Sequence, residues 1–136
     1  MKNEKMGKID ISELNVPPEK HEYETARFFA DRGLDVKFLK PSNIEGTNSP
    51  DFAMAGKVWE TKSPIGSSMR VYEDNFKKAL KQSENIIFDL RRLKVADEEK
   101  CLKRLLKMVD LPKLKTLLII SRDGRLLTLK GDFAIL

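Results

Sequence analysis

The stretch from Ser49 to Ser63, Ser-Pro-Asp-Phe-Ala-Met-Ala-Gly-Lys-Val-Trp-Glu-Thr-Lys-Ser, constrains this chain more than any other. Gly56 stands between two short apolar runs, so the stretch reads as a hairpin. With the turn at Ala55-Gly56, Met54 faces Lys57 and Asp51 lies opposite Glu60. With the turn at Gly56-Lys57, Asp51 faces Lys62 and Ala53 faces Glu60. Side chains alternate along a strand, so either register gathers Asp51, Glu60 and Lys62 on one face. Phe52, Met54, Trp59 and Thr61 take the other face and form a core-like set.

Two carboxylates and a lysine on one face of an apolar hairpin need a physical reason. Opposed carboxylates repel across a sheet, and burial makes an unpaired charge costlier still. A divalent cation removes the conflict, because hard oxygen ligands suit Mg²⁺ or Mn²⁺. Such an ion lowers the pKa of a bound water and polarises a phosphoryl oxygen. Lys62 is then placed to orient that water or to stabilise negative charge growing on a phosphate. A solvated face with a surface salt bridge accounts for the same spacing without chemistry.

At 136 residues, with 40% hydrophobic and 35% charged side chains, the chain suits one domain with a single core. Residues 1–16 read as a flexible lead-in and 17–136 as the domain. The net charge of +5 favours a polyanionic partner, although an acidic protein or plain solubility also fits. Cys101 is the only cysteine, which excludes an intrachain disulfide and a cysteine zinc site. The first ten residues lack the apolar middle of a signal peptide, and no apolar run is long enough to span a membrane.

Pro17-Pro18 precedes a helix over about 19–32, ended by Gly33. With Ala26 at the centre of its inner face, helical rotation puts Glu22 within about 40° of that centre and Glu24 about 160° away. Glu22 therefore sits at the edge of the packed face or belongs to a site. His21, the only histidine, reads as a surface residue near the helix start. Residues 34–39 alternate as a strand, and 41–49 form a loop arriving at Pro50-Asp51. In that loop Thr47 and Asn48 are candidates for substrate contact or simple turn formers. A helix follows over about 69–82, then an apolar strand over 84–90. Arg91, Arg92 and Lys94 at its end would hold phosphates or form a solvated turn. A helix over 96–109, a buried strand over 116–120 and a hairpin into 126–129 complete the order α-β-β-β-α-β-α-β-β. That order implies an α/β fold, a mixed sheet flanked by helices.

Pro50-Asp51, eight intervening residues, then Glu60-Thr61-Lys62 resembles the motif of PD-(D/E)XK nucleases. The Lys62-Ser63 run, with Ala79-Leu80-Lys81-Gln82 and Ile86-Ile87-Phe88-Asp89-Leu90 after it, is similar to the C-terminal tRNA-nuclease toxin domains of CdiA-type contact-dependent growth inhibition proteins. The resemblance covers about residues 19–121 and implies a PD-(D/E)XK nuclease-like fold. It also implies a Mg²⁺- or Mn²⁺-dependent endonuclease cutting RNA, tRNA in particular. On that reading Asp51, Glu60 and Glu22 hold the ion with the Thr61 carbonyl, and Lys62 serves the transition state. The spacing from Glu22 to Ala26 matches the family, which also favours Gln82 as a substrate contact. A delivered toxin further implies a cognate immunity protein and action in the cytoplasm of a target cell, with export signals carried elsewhere. A DNA endonuclease of a mobile element, or a binding or assembly module on the same fold, are the alternatives.

Overall fold

A computed structural model describes residues 5–41, 49–66 and 68–133. Among these residues the chain forms seven strands and three helices: β1 (Ile9–Asp10), α1 (Lys20–Ala30), β2 (Val36–Phe38), β3 (Phe52–Met54), β4 (Lys57–Lys62), α2 (Met69–Gln82), β5 (Asn85–Asp89), α3 (Val95–Leu106), β6 (Thr116–Ile120) and β7 (Leu126–Lys130). The strands lie side by side in chain order as one mixed sheet. β1–β2, β4–β5 and β5–β6 are parallel, and the other neighbours are antiparallel.

The two faces of the sheet are separated by the period-two alternation of its central strands. On one side Ile86, Phe88, Leu117 and Ile119 pack with Tyr72 and Phe76 of α2 and with Cys101 and Leu105 of α3. On the other, Ile87, Leu118 and Ile120 join Phe52, Met54 and Trp59 beneath Ala26 and Phe29 of α1. β5 and β6 are buried on both faces, as their uninterrupted apolar sequences require. Each large apolar side chain of β6 contributes roughly 1.5–3 kcal/mol by leaving water. Cys101 is one of these core residues, and burial pushes its thiol up to about 12, which leaves it inert.

The expected order of elements is present, with one addition. Part of the lead-in joins the sheet: Ile9 lies opposite Val36, and the Gly7 N–H donates to Ala30 O at 2.7 Å. A side chain at position 7 would put its Cβ 1.9 Å from the Leu34 carbonyl oxygen, so only glycine permits this approach. A strand of two residues is too short to show alternation in sequence.

The hairpin adopts the Ala55-Gly56 turn. Phe52 pairs with Trp59 and Met54 with Lys57. Ala55 (φ 53°) and Gly56 (φ 76°) are both left-handed, as a two-residue turn between twisted strands demands. The Trp59 indole N–H donates to Met54 O at 2.9 Å and locks the hairpin from its core side.

Candidate active site

The site forms where β4 changes partners. Its first half, Lys57 to Trp59, pairs with β3, whereas Glu60 to Lys62 pairs with β5. Asp51 stands just before β3 at this fork, and its backbone N–H donates to Trp59 O at 2.8 Å. One oxygen of its carboxylate, Oδ2, accepts both the Thr61 N–H (2.9 Å) and the Thr61 hydroxyl (2.8 Å). Thr61 thus fixes Asp51 with its amide and side chain.

Glu60 is buried on the face shared with Ile86. Its Oε2 lies 3.4 Å from Lys62 Nζ, and its Oε1 accepts no hydrogen bond from the described residues. Burial, then the neighbouring charge of Asp51, pushes the Glu60 carboxyl up to about 8 despite Lys62. Asp51 is also raised by burial, against the pull of its bonds from Thr61. Glu22 is raised by burial and then by Asp51. These influences place the three acids in one electrostatic neighbourhood.

Glu22 reaches it from α1, where its carboxylate also accepts the Glu19 N–H at 3.3 Å as part of a helix-start capping box. His21, read from sequence as a surface residue, is half-buried, and its positive charge would pull both Asp51 and Glu22 down. The sequence offered no sign of this, because it depends on how α1 lies over the sheet. Ser63, directly after Lys62, was likewise overlooked; its buried hydroxyl has no partner among the described residues.

These residues fit a divalent cation. An orphaned carboxylate oxygen beside a second carboxylate is the donor set expected of Mg²⁺, which binds through one or two carboxylates and keeps waters for the rest. Among the described residues, however, no three His, Cys, Asp or Glu side chains are gathered closely enough to share an ion. Asp51 is electrostatically coupled to Glu60 and to Glu22 alike.

The expected substrate contacts are distributed differently. Gln82 does not project freely toward a substrate: its Oε1 accepts the Ser49 N–H at 2.7 Å, anchoring the segment that enters Pro50-Asp51. Arg91 is anchored: its guanidinium grips the buried Asp89 carboxylate at 2.7 and 2.9 Å and the Glu24 carbonyl at 3.0 Å. Arg92 is exposed beside it. Thr47 and Asn48 lie outside the described residues.

Comparison with known proteins decides the family. A family model described as the contact-dependent growth inhibition CdiA C-terminal domain matches residues 48–126, more than half of the chain and the whole β3–β4 site. The chain belongs to this family. A solved structure, the CdiA-CT/CdiI toxin and immunity complex from Burkholderia pseudomallei, is similar in fold, with a TM-score of 0.64 and 19% identity over 92% of this chain and 100% of that one. No curated protein matches. The CdiA C-terminal match spans the hairpin, α2, β5, α3 and β6, so it contains both carboxylates of the fork. Among the described residues no helix is long and apolar enough to cross a membrane.

Proposed function

We propose that this CdiA C-terminal domain is a toxin that cleaves RNA phosphodiesters with a divalent cation held by Asp51 and Glu60, by PD-(D/E)XK-type chemistry. The observation that carries the reading is Glu60: a buried carboxylate with an oxygen that has no partner among the described residues, next to a second carboxylate and a lysine. A structural ion pair has no use for an unsatisfied buried oxygen, whereas an ion-binding one does.

When bound, Mg²⁺ or Mn²⁺ supplies a polarised phosphoryl oxygen and an acidified water. Asp51 and Glu60 hold the ion, with the Thr61 carbonyl as a further oxygen ligand between them. Thr61 also keeps Asp51 Oδ2 in place, so one carboxylate is oriented before the ion arrives. Lys62 carries its ammonium at the same edge, where it orients the attacking water or balances charge growing on the phosphate. Glu22 and His21 surround the pair from α1; Glu22 supports the shell through water. Sequence similarity to tRNA-nuclease toxin domains makes tRNA the favoured RNA. The similar solved structure is a complex of a toxin with an immunity protein, and this chain is proposed to have its own, and to act in the cytoplasm of a target bacterium.

Incubating the purified chain with total RNA and with plasmid DNA, in Mg²⁺ and then in EDTA, tests this. RNA cut in Mg²⁺ and spared in EDTA is the expected result, with Lys62→Met losing cleavage while retaining ion binding. Cleavage confined to DNA would replace the substrate, and intact nucleic acid in every tube would replace the activity with binding.

A further inference from the structure

Parallel strands β4, β5 and β6 end together at Lys62, Asp89 and Ile120, and crevices outside the carboxyl ends of such strands are favoured binding places. Beyond those ends α1 and the β6–β7 turn border an open cavity of about 390 Å³, lined by Arg27, Phe28, Arg32, Arg91, Glu24, Asp31 and Gly124. Arg91 lies three residues past Phe88, the register partner of Lys62, so the cavity opens at the same carboxyl end of the sheet as the site.

Its arginines are held in place. Arg32 stacks on the Phe28 ring with its guanidinium carbon 3.6 Å from the centroid, and it donates to Phe28 O (2.9 Å) and Gly124 O (3.3 Å). Arg91 stands over the same ring at 5.4 Å, fastened to Asp89 and Glu24 O. A guanidinium has five N–H donors; these bonds occupy two on Arg32 and three on Arg91. Arg27 pairs through Nε with Asp31 at 3.6 Å and is about half exposed. Arg91 is already balanced by Asp89, so what the cavity offers phosphate oxygens is the remaining N–H donors of Arg32 and of the half-exposed Arg27, held in a fixed geometry.

We propose that this arginine-lined cavity binds phosphates of the substrate strand next to the bond cleaved at Asp51 and Glu60. The proposal rests on reading the chain as a nuclease and gives that nuclease its strand path, leading from the fork across the end of β5 toward the β6–β7 turn. Glu24, on the rim, works against the bound strand.

Binding of a fluorescent single-stranded RNA, measured by anisotropy in EDTA across a salt series, tests it without cleavage. Arg27→Gln should weaken binding about 3–10-fold and lower the slope of log affinity against log salt by about 0.7, the loss of one phosphate contact on a single strand. Glu24→Gln should tighten binding at low salt. Lys77→Gln, on α2 across the sheet, should change neither. Melting curves check that each variant is folded. Unchanged affinity and slope in Arg27→Gln, beside Mg²⁺-dependent cleavage by the wild type, would overturn the strand path and leave the nuclease standing. Arginine-dependent binding without any cleavage would do the reverse. No binding and no cleavage would remove both.

Discussion

Glu60 and Asp89 are two buried acids on adjacent parallel strands, 6% and 4% exposed, and the sheet treats them in opposite ways. Asp89 is satisfied on every side. Its Oδ2 accepts the Thr25 hydroxyl at 2.7 Å and Arg91 at 2.7 Å, and its Oδ1 accepts Arg91 Nε at 2.9 Å. The network joins β5 to α1, the helix that carries His21 and Glu22 over the site. Among the described residues Glu60 has one cation at 3.4 Å, an oxygen without a hydrogen-bond partner, and a second acid nearby. A saturated buried charge fastens a fold; an unsaturated one beside a like charge keeps a place for something else.

The largest expected effects break this contrast directly. Glu60→Gln should reduce RNA cleavage by about 10³-fold or more while leaving the melting temperature of the ion-free protein equal at neutral pH and higher above about pH 8, where the ionised Glu60 repels Asp51. Asp89→Ala should do its damage in the fold. Leaving Arg91 half-buried without its carboxylate should cost about 3 kcal/mol, a fall of roughly 10 °C for a domain of this size. Denaturant titration and cleavage rates measured on both variants separate the roles. A destabilised Glu60→Gln with full activity would exchange them.

A smaller effect concerns pH. Folded Glu60 titrates near 8 and the unfolded group near 4.5, so between these values the native state holds a proton that the unfolded chain has released. Its stabilising contribution is complete below about 4.5 and is lost as pH rises through about 8. Asp51 and Glu22 are raised and act in the same sense. Asp10, Glu13 and Asp123 are lowered by their hydrogen bonds, and their contributions fade only on acidification below about pH 4. In EDTA the melting temperature should therefore fall between pH 5 and 8.5, and Glu60→Gln should flatten that fall. Stability rising across the same range in the wild type would contradict the assignment.

The smallest effect tests the register that sets Phe52 against Trp59 next to the site. Ala55 holds a left-handed conformation that costs a residue with a Cβ about 1 kcal/mol. Ala55→Asn, making the favoured Asn-Gly turn, should raise stability by about 0.5 kcal/mol and leave cleavage unchanged. Altered activity would mean that the register had moved.

Much of this architecture is legible in the sequence because it depends on local periodicity. The bond from the Thr61 hydroxyl to Asp51, between residues that alternation assigns to opposite faces, is not among what periodicity gives, whereas the buried strands at Ile86–Phe88 and Leu117–Ile120 follow from alternation alone. The register did not, since both turns were open and the one adopted puts an alanine in a conformation it disfavours. Asp89 was hidden inside an apolar strand, because the hydroxyl that satisfies it belongs to Thr25, 64 residues earlier. The carboxylate partner of Arg91 was hidden for the same reason, since the pairing matters only once β5 is buried. Gln82 read as a boundary residue or a substrate contact, and its bond to Ser49 spans 33 residues of chain. Pairings at such distances leave no periodic trace.

The central claim is that Asp51 and Glu60 form an ion site, and the most direct measurement is thermal unfolding at pH 8 with and without Mg²⁺ or Mn²⁺. An ion bound only by the folded state stabilises in proportion to the logarithm of its excess over Kd. The wild type should melt higher as the ion is added, and Glu60→Gln and Asp51→Asn should not respond. A wild type indifferent to both ions, or variants that gain as much as it does, would contradict the account.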